Sequence, residues 1–129
     1  MLKHKKVAIP IYGGLKSSLN IIISDKKDWD NALDLVNKYN NSPQEFFEYN
    51  QVRAFCATTD KNGINHFWMV FKPVKLSMDT ISHEIVHVVN AIYVSRGISL
   101  DAENDEPQAY FTGWVTGITT KFLKSYIKL

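Results

Sequence analysis

Ser77-Met78-Asp79-Thr80-Ile81-Ser82-His83-Glu84-Ile85-Val86-His87-Val88-Val89-Asn90-Ala91-Ile92-Tyr93-Val94-Ser95-Arg96-Gly97 is the stretch on which the fold turns. Ile81, Ile85, Val88, Val89 and Ile92 recur at three- and four-residue spacing, which predicts a helix over 79–96 with one buried stripe. Ser77, Asp79 and Thr80 can cap its start, Arg96 stands in its last turn, and Gly97 can take the left-handed conformation that ends it. Val86, Val89 and Tyr93 widen the stripe, so a central helix is expected, with His83 and His87 on its flank. Residues four apart on a helix lie about 40° apart around the axis and about 6 Å along it, so both imidazoles can converge on one ion. Glu84 is rotated off that pair and can serve a water on the metal.

A catalytic zinc site usually carries three protein ligands and a water. The chain has four His, at positions 4, 66, 83 and 87, and none follows His87. The third ligand is therefore expected to be a carboxylate, unless His66 or the lone Cys56 folds in. Asp101-Ala102-Glu103-Asn104-Asp105-Glu106-Pro107-Gln108-Ala109-Tyr110 is an acidic run entering a second helix, with Asn104 or Asp105 as its cap and Pro107 in its first turn. Acids at a helix start also complement its dipole while facing water, which is the ordinary reading of Asp101 and Glu103. Glu106 is the favoured ligand because Ala109 and Tyr110 lie one turn on, where a small residue lets two helices approach. Asp105 is the competing candidate.

With His83-Glu84-x-x-His87 followed nineteen residues later by Glu106-x-x-Ala109, the chain resembles the gluzincin branch of the zincin metallopeptidases. Residues 78–120 are also similar to small zincin-like proteins encoded by phages and prophages. The resemblance implies that His83, His87 and Glu106 bind Zn2+ and that Glu84 is the general base. Many gluzincins carry Asp or Asn four residues after the glutamate ligand, to orient an imidazole; here that residue is Tyr110, whose phenol is longer and less basic. Larger members steady the oxyanion with a downstream His or Tyr, a role left here to Tyr110 or Tyr126, or to Tyr12 and His66 from upstream.

The remaining sequence fits one such domain. A chain of 129 residues, 45% apolar, can bury a single substantial core, so one domain over 1–129 is expected. One cysteine excludes an internal disulfide and a multi-cysteine zinc ribbon; Cys56, in a predicted strand, reads as a buried, inert thiol. No apolar run approaches the roughly 18 residues that span a bilayer, and the basic start is no signal peptide, so a cytoplasmic location is expected. Net charge is only +2, and Lys121, Lys124 and Lys128 read as a solvated helix face rather than a nucleic-acid surface.

Strands are predicted over 6–12 and 19–24 around Gly13-Gly14, with Pro10 pushing the first to a sheet edge. A helix over 26–39 follows, with Asp25 as its cap. Strands over 52–59 and 64–72 flank Asp60-Lys61-Asn62-Gly63, a hairpin signal; the second is apolar on both faces and belongs inside the sheet. Phe111, Trp114, Val115, Ile118, Phe122, Leu123 and Tyr126 carry a final helix to the end, in which Gly113 and Gly117 are expected to permit close contact with the His-bearing helix. The order β-β-α-β-β-α-α gives an α+β class: a small mixed or antiparallel sheet packed against the HExxH helix and a C-terminal helix. The function expected is zinc-dependent hydrolysis of peptide bonds in a peptide or protein substrate. The alternatives are an inactive zincin-like protein that binds zinc and engages a host or phage partner, and a metal-free structural domain.

Overall fold

The computed structural model describes residues 1–10 and 16–129. Its order is β1 (Leu2–Ala8), β2 (Ser17–Ser24), α1 (Trp29–Lys38), a 3-10 turn (Tyr49–Gln51), β3 (Ala54–Lys61), β4 (Ile64–Phe71), α2 (Met78–Ser95) and α3 (Glu106–Lys124). The four strands form one mixed sheet in the order β1-β2-β4-β3, and with three helices the class is α+β. β2 and β4 run parallel, while the outer pairs β1–β2 and β3–β4 are antiparallel.

The hairpin turns as its sequence requires. Asn62 and Gly63 both have positive φ, 55° and 80°, and the Asp60 side chain accepts from the Gly63 amide at 3.1 Å. Such a turn matches the twist of the strands and fixes Lys61 opposite Ile64. β4 is buried from His66 to Phe71 because its side chains are apolar on both faces, and a strand of that kind gains most by lying between two others. β1 starts earlier than the sequence suggests. Lys3 and Lys5 face solvent along it, and an edge strand carrying lysines resists pairing with another chain. Pro10 lies beyond the end of β1, and the expected Gly13-Gly14 turn falls outside the described residues.

Each face of the sheet has its own core. On one face Trp29, Ala32 and Val36 of α1 pack on Ile22, Phe55, Trp68 and Val70. Asp25 contributes to the start of α1 by accepting from the Asp28 amide at 3.1 Å. On the other face Ile81, Ile85, Val88, Val89 and Ile92 of α2, with Phe111, Val115 and Leu123 of α3, cover Leu19, Ile21, Ile23, Phe67, Met69 and Phe71. Each such side chain taken from water is worth about 1.5–3 kcal/mol, which favours this pairing of faces. α2 ends where Gly97 (φ 67°) turns the chain: the Gly97 amide reaches the Val94 carbonyl and the Ile98 amide the Tyr93 carbonyl, both at 3.0 Å.

α2 lies over β3 and β4. α3 lies beside α2 towards the opposite edge, since Tyr93 stacks on Phe111 at 6.0 Å and Tyr126, just past α3, meets Lys3 of β1. Two expectations are corrected here. Val86 is 53% exposed, so α2 has a solvent face and is not enclosed all round. Gly113 and Gly117 do not serve a close crossing, because a Cβ at either would meet nothing within 4 Å. Both stand opposite the Phe111–Val115–Leu123 stripe and face solvent. No described helix is long and apolar enough to cross a membrane.

Candidate functional site

One turn of α2 presents His83 and His87 side by side. Their Nε2 atoms are 3.1 Å apart and the rings meet edge to face, 4.7 Å between centroids. Both imidazoles are exposed, whereas Glu84, between them in sequence, is only 7% exposed. The difference follows from helical rotation: Glu84 points towards the sheet and the imidazoles stand at its rim.

Between this turn and β3 runs an open groove of about 450 Å³. Five consecutive β3 residues, Ala54 to Thr58, line it together with His83, Glu84 and His87. Neighbours in a strand point to opposite faces, so five in a row line a groove only where it follows the strand's edge. Among the described residues that edge has no partner strand, because β3 pairs only with β4.

Inside the groove the Cys56 thiol donates to Glu84 Oε2 at 2.9 Å and lies 3.2 Å from the Glu84 carbonyl oxygen. Burial, and then the adjacent carboxylate, push the thiol's pKa well above its ordinary value, so it stays protonated. Cys56 is half-buried rather than fully enclosed, and nothing in its local sequence signals the bond to Glu84. Only the placement of Cys56 on a strand was legible, not the strand's lateral position against α2.

The imidazole pair suits a metal. Two zinc–nitrogen bonds of about 2.0–2.1 Å at a tetrahedral angle set the nitrogens roughly 3.3–3.4 Å apart, close to the spacing here. A proton shared between neutral rings gives a similar spacing. Among the described residues, no group of three His, Cys, Asp or Glu is arranged to hold a metal ion. His83 and His87 thus have the spacing of two zinc ligands, and among the described residues no third stands beside them.

The other candidates stand elsewhere. Glu106 opens α3, and Asp105 precedes it; both are exposed. Glu106 shares the outward face of α3 with Ala109, Gly113 and Gly117, while the groove lies on the β3 side of α2. Tyr110 is 78% exposed and, like Glu106, does not line the groove. Tyr126 is beside β1. His66 is on the α1 face of the sheet, bonded through Nδ1 to Ser18 Oγ at 2.6 Å and against the Tyr39 ring. Tyr12 falls outside the described residues. Compared with protein-family models, with curated proteins and with solved structures, the chain matches none.

Proposed function

We propose that this chain is a zincin-like, zinc-dependent hydrolase of peptide bonds. The observation that carries the reading is the convergence of His83 and His87, 3.1 Å apart at Nε2, on a groove walled by an unpaired strand edge and holding a carboxylate. His83 and His87 would hold the ion. Bound zinc supplies a water acidified towards neutral pH and a polarised carbonyl. The β3 edge offers backbone N–H and C=O groups with which an extended peptide can pair, giving affinity with little dependence on sequence. Glu84 is the base that takes the proton and passes it to the leaving amine, and exclusion of bulk water around it strengthens that role. A cytoplasmic setting accords with the single unpaired thiol.

The test is Glu84→Gln. The variant is expected to retain zinc at the wild-type ratio and to lose cleavage of a degenerate peptide library, and a chelator should abolish wild-type cleavage. Turnover by the variant equal to wild type overturns the reading.

One observation favours the second reading, a zinc-binding protein that engages a partner without cleaving it. None of Tyr110, Tyr126 and His66 is available to the groove, so an oxyanion partner is missing among the described residues. Under that reading wild type binds zinc and peptides yet cleaves none of the library.

A further inference from the structure

Beyond the imidazole pair the groove continues towards the start of α2. His83 and Glu84 also border a second depression with Val52, Arg53, Ala54 and Thr80. Arg53 and Thr80 in turn border a third, of about 530 Å³, with Tyr49, Lys72, Lys75 and Leu76. Each depression shares lining residues with the next, so the three follow one another along the N-terminal half of α2. Thr80 is one turn before His83, about 4.5 Å along the axis.

The far end of that path is cationic. Arg53, Lys72 and Lys75 line it, and no Asp or Glu does. No ion pair within 4 Å engages these three among the described residues. Lys72 is held in place: Nζ donates to the Tyr49 carbonyl at 2.8 Å and lies 4.4 Å from the centre of the Tyr49 ring. Lys75 has φ 55°, a conformation that costs a residue with a Cβ and persists where the surrounding chain requires it. That conformation turns the chain between β4 and α2 around the cavity. Asp79 lies in the middle depression with Arg53, which feels its charge, so Lys72 and Lys75 are the cations set apart from the acids, at the far end.

We propose that this cavity binds a carboxylate of the peptide held in the groove, selecting substrates that carry one a few residues from the imidazole pair. The inference rests on the peptide reading above and deepens it. An extended peptide advances about 3.3 Å per residue, so a carboxylate a few residues from the imidazole pair would be carried towards the end lined by Arg53, Lys72 and Lys75. Arg53 supplies a planar fork suited to a carboxylate, and the lysines add charge. An acidic side chain and a C-terminal carboxylate share this chemistry.

Binding separates the claim from catalysis. Fluorescent hexapeptides carrying Glu, its neutral isostere Gln, or a free against an amidated C-terminus are titrated against the zinc-loaded full chain at low salt. Wild type is expected to bind the carboxylate-bearing peptide at least tenfold more tightly, and the arm that loses affinity identifies the source. In Arg53→Gln/Lys75→Asn, where Asn tolerates positive φ, the preference should fall below about threefold. Affinity for the neutral peptide and zinc content should be unchanged. Equal binding of acidic and neutral peptides by wild type overturns the proposal, as does a preference that survives in the double variant. Inorganic phosphate binding unaffected by any peptide overturns it too. Acidic peptides bound with preference but never cleaved would support the cavity while sinking the hydrolase reading; cleavage without preference does the reverse.

Discussion

The Cys56 thiol and the Glu84 carboxylate meet at 2.9 Å across the groove between β3 and α2. The thiol donates to the carboxylate in a half-enclosed setting, so removing the thiol leaves the carboxylate without that bond. Cys56→Ala is expected to lower stability by about 1–3 kcal/mol, and Cys56→Ser, which keeps a donor, by clearly less. Urea unfolding followed by circular dichroism gives both values. Equal losses for Ala and Ser would mean that the bond contributes nothing.

Zinc affinity should depend on α2 and not on α3. His83→Ala or His87→Ala is expected to weaken zinc binding by more than about 100-fold, the upper range for losing a supporting contact alone. Glu106→Gln, on the outward face of α3, should leave affinity within about twofold of wild type, since no ligand role brings it to the pair. Competition titration with a chromophoric chelator measures all three. A large loss in Glu106→Gln would require α3 to rearrange when zinc binds.

Acid should weaken the α1 face of the sheet. There His4 Nε2 meets Asn20 Oδ1 at 2.9 Å, Asn20 Nδ2 donates to Ser18 Oγ at 2.8 Å, and Ser18 Oγ meets His66 Nδ1 at 2.6 Å. Donation runs one way along this chain only if His66 Nδ1 accepts, hence is unprotonated. Burial lowers the pKa of both histidines below the usual 6.5; Lys6 lowers both further, while the Asn20 bond partly opposes this at His4 and Asp60 at His66. Below 6.5 the unfolded chain therefore binds more protons than the folded one, and stability falls as pH drops through 6.5 towards the native values. The urea midpoint should decline between pH 7.5 and pH 5, and His66→Gln should flatten that decline. A midpoint independent of pH over this range would refute the account.

Gly113→Ala and Gly117→Ala should each stabilise the protein, by up to about 1 kcal/mol, because both lie within α3 and a new Cβ meets open space. Thermal unfolding reads the change; a loss of stability at either position would restore a packing role for that glycine.

What could be read from the sequence was what local pattern governs. Asn62-Gly63 specified its turn, the two apolar faces of residues 64–71 specified an interior strand, and Gly97 specified where α2 stops. The adjacency of His83 and His87 followed from helix geometry alone. Which neighbour lies on which flank of α2 did not. Glycines on α3 signal a missing side chain equally well at a tight crossing and on an open face. The stripe of Phe111, Val115 and Leu123 is flanked by Trp114, Ile118 and Phe122, so periodicity left the buried arc of α3 broad enough to include or exclude Glu106. Cys56 and Glu84 are 28 residues apart on different elements, and residue type carries no mark of such a meeting.

The groove is built entirely from residues between Phe47 and Ala91, one uninterrupted hairpin-and-helix segment. Bringing Cys56 to Glu84 closes 28 residues, whereas joining Ser18 to His66 closes 48. Shorter closures cost less chain entropy, so this segment is expected to form before β4 joins β2 across the middle of the sheet. Conservative truncations in α2 and the β3–β4 hairpin should then slow refolding, while those of β2 side chains packed against β4 should mainly speed unfolding. The machinery for chemistry and the seed of the fold would be the same stretch of chain, leaving little freedom to alter one without disturbing the kinetics of the other.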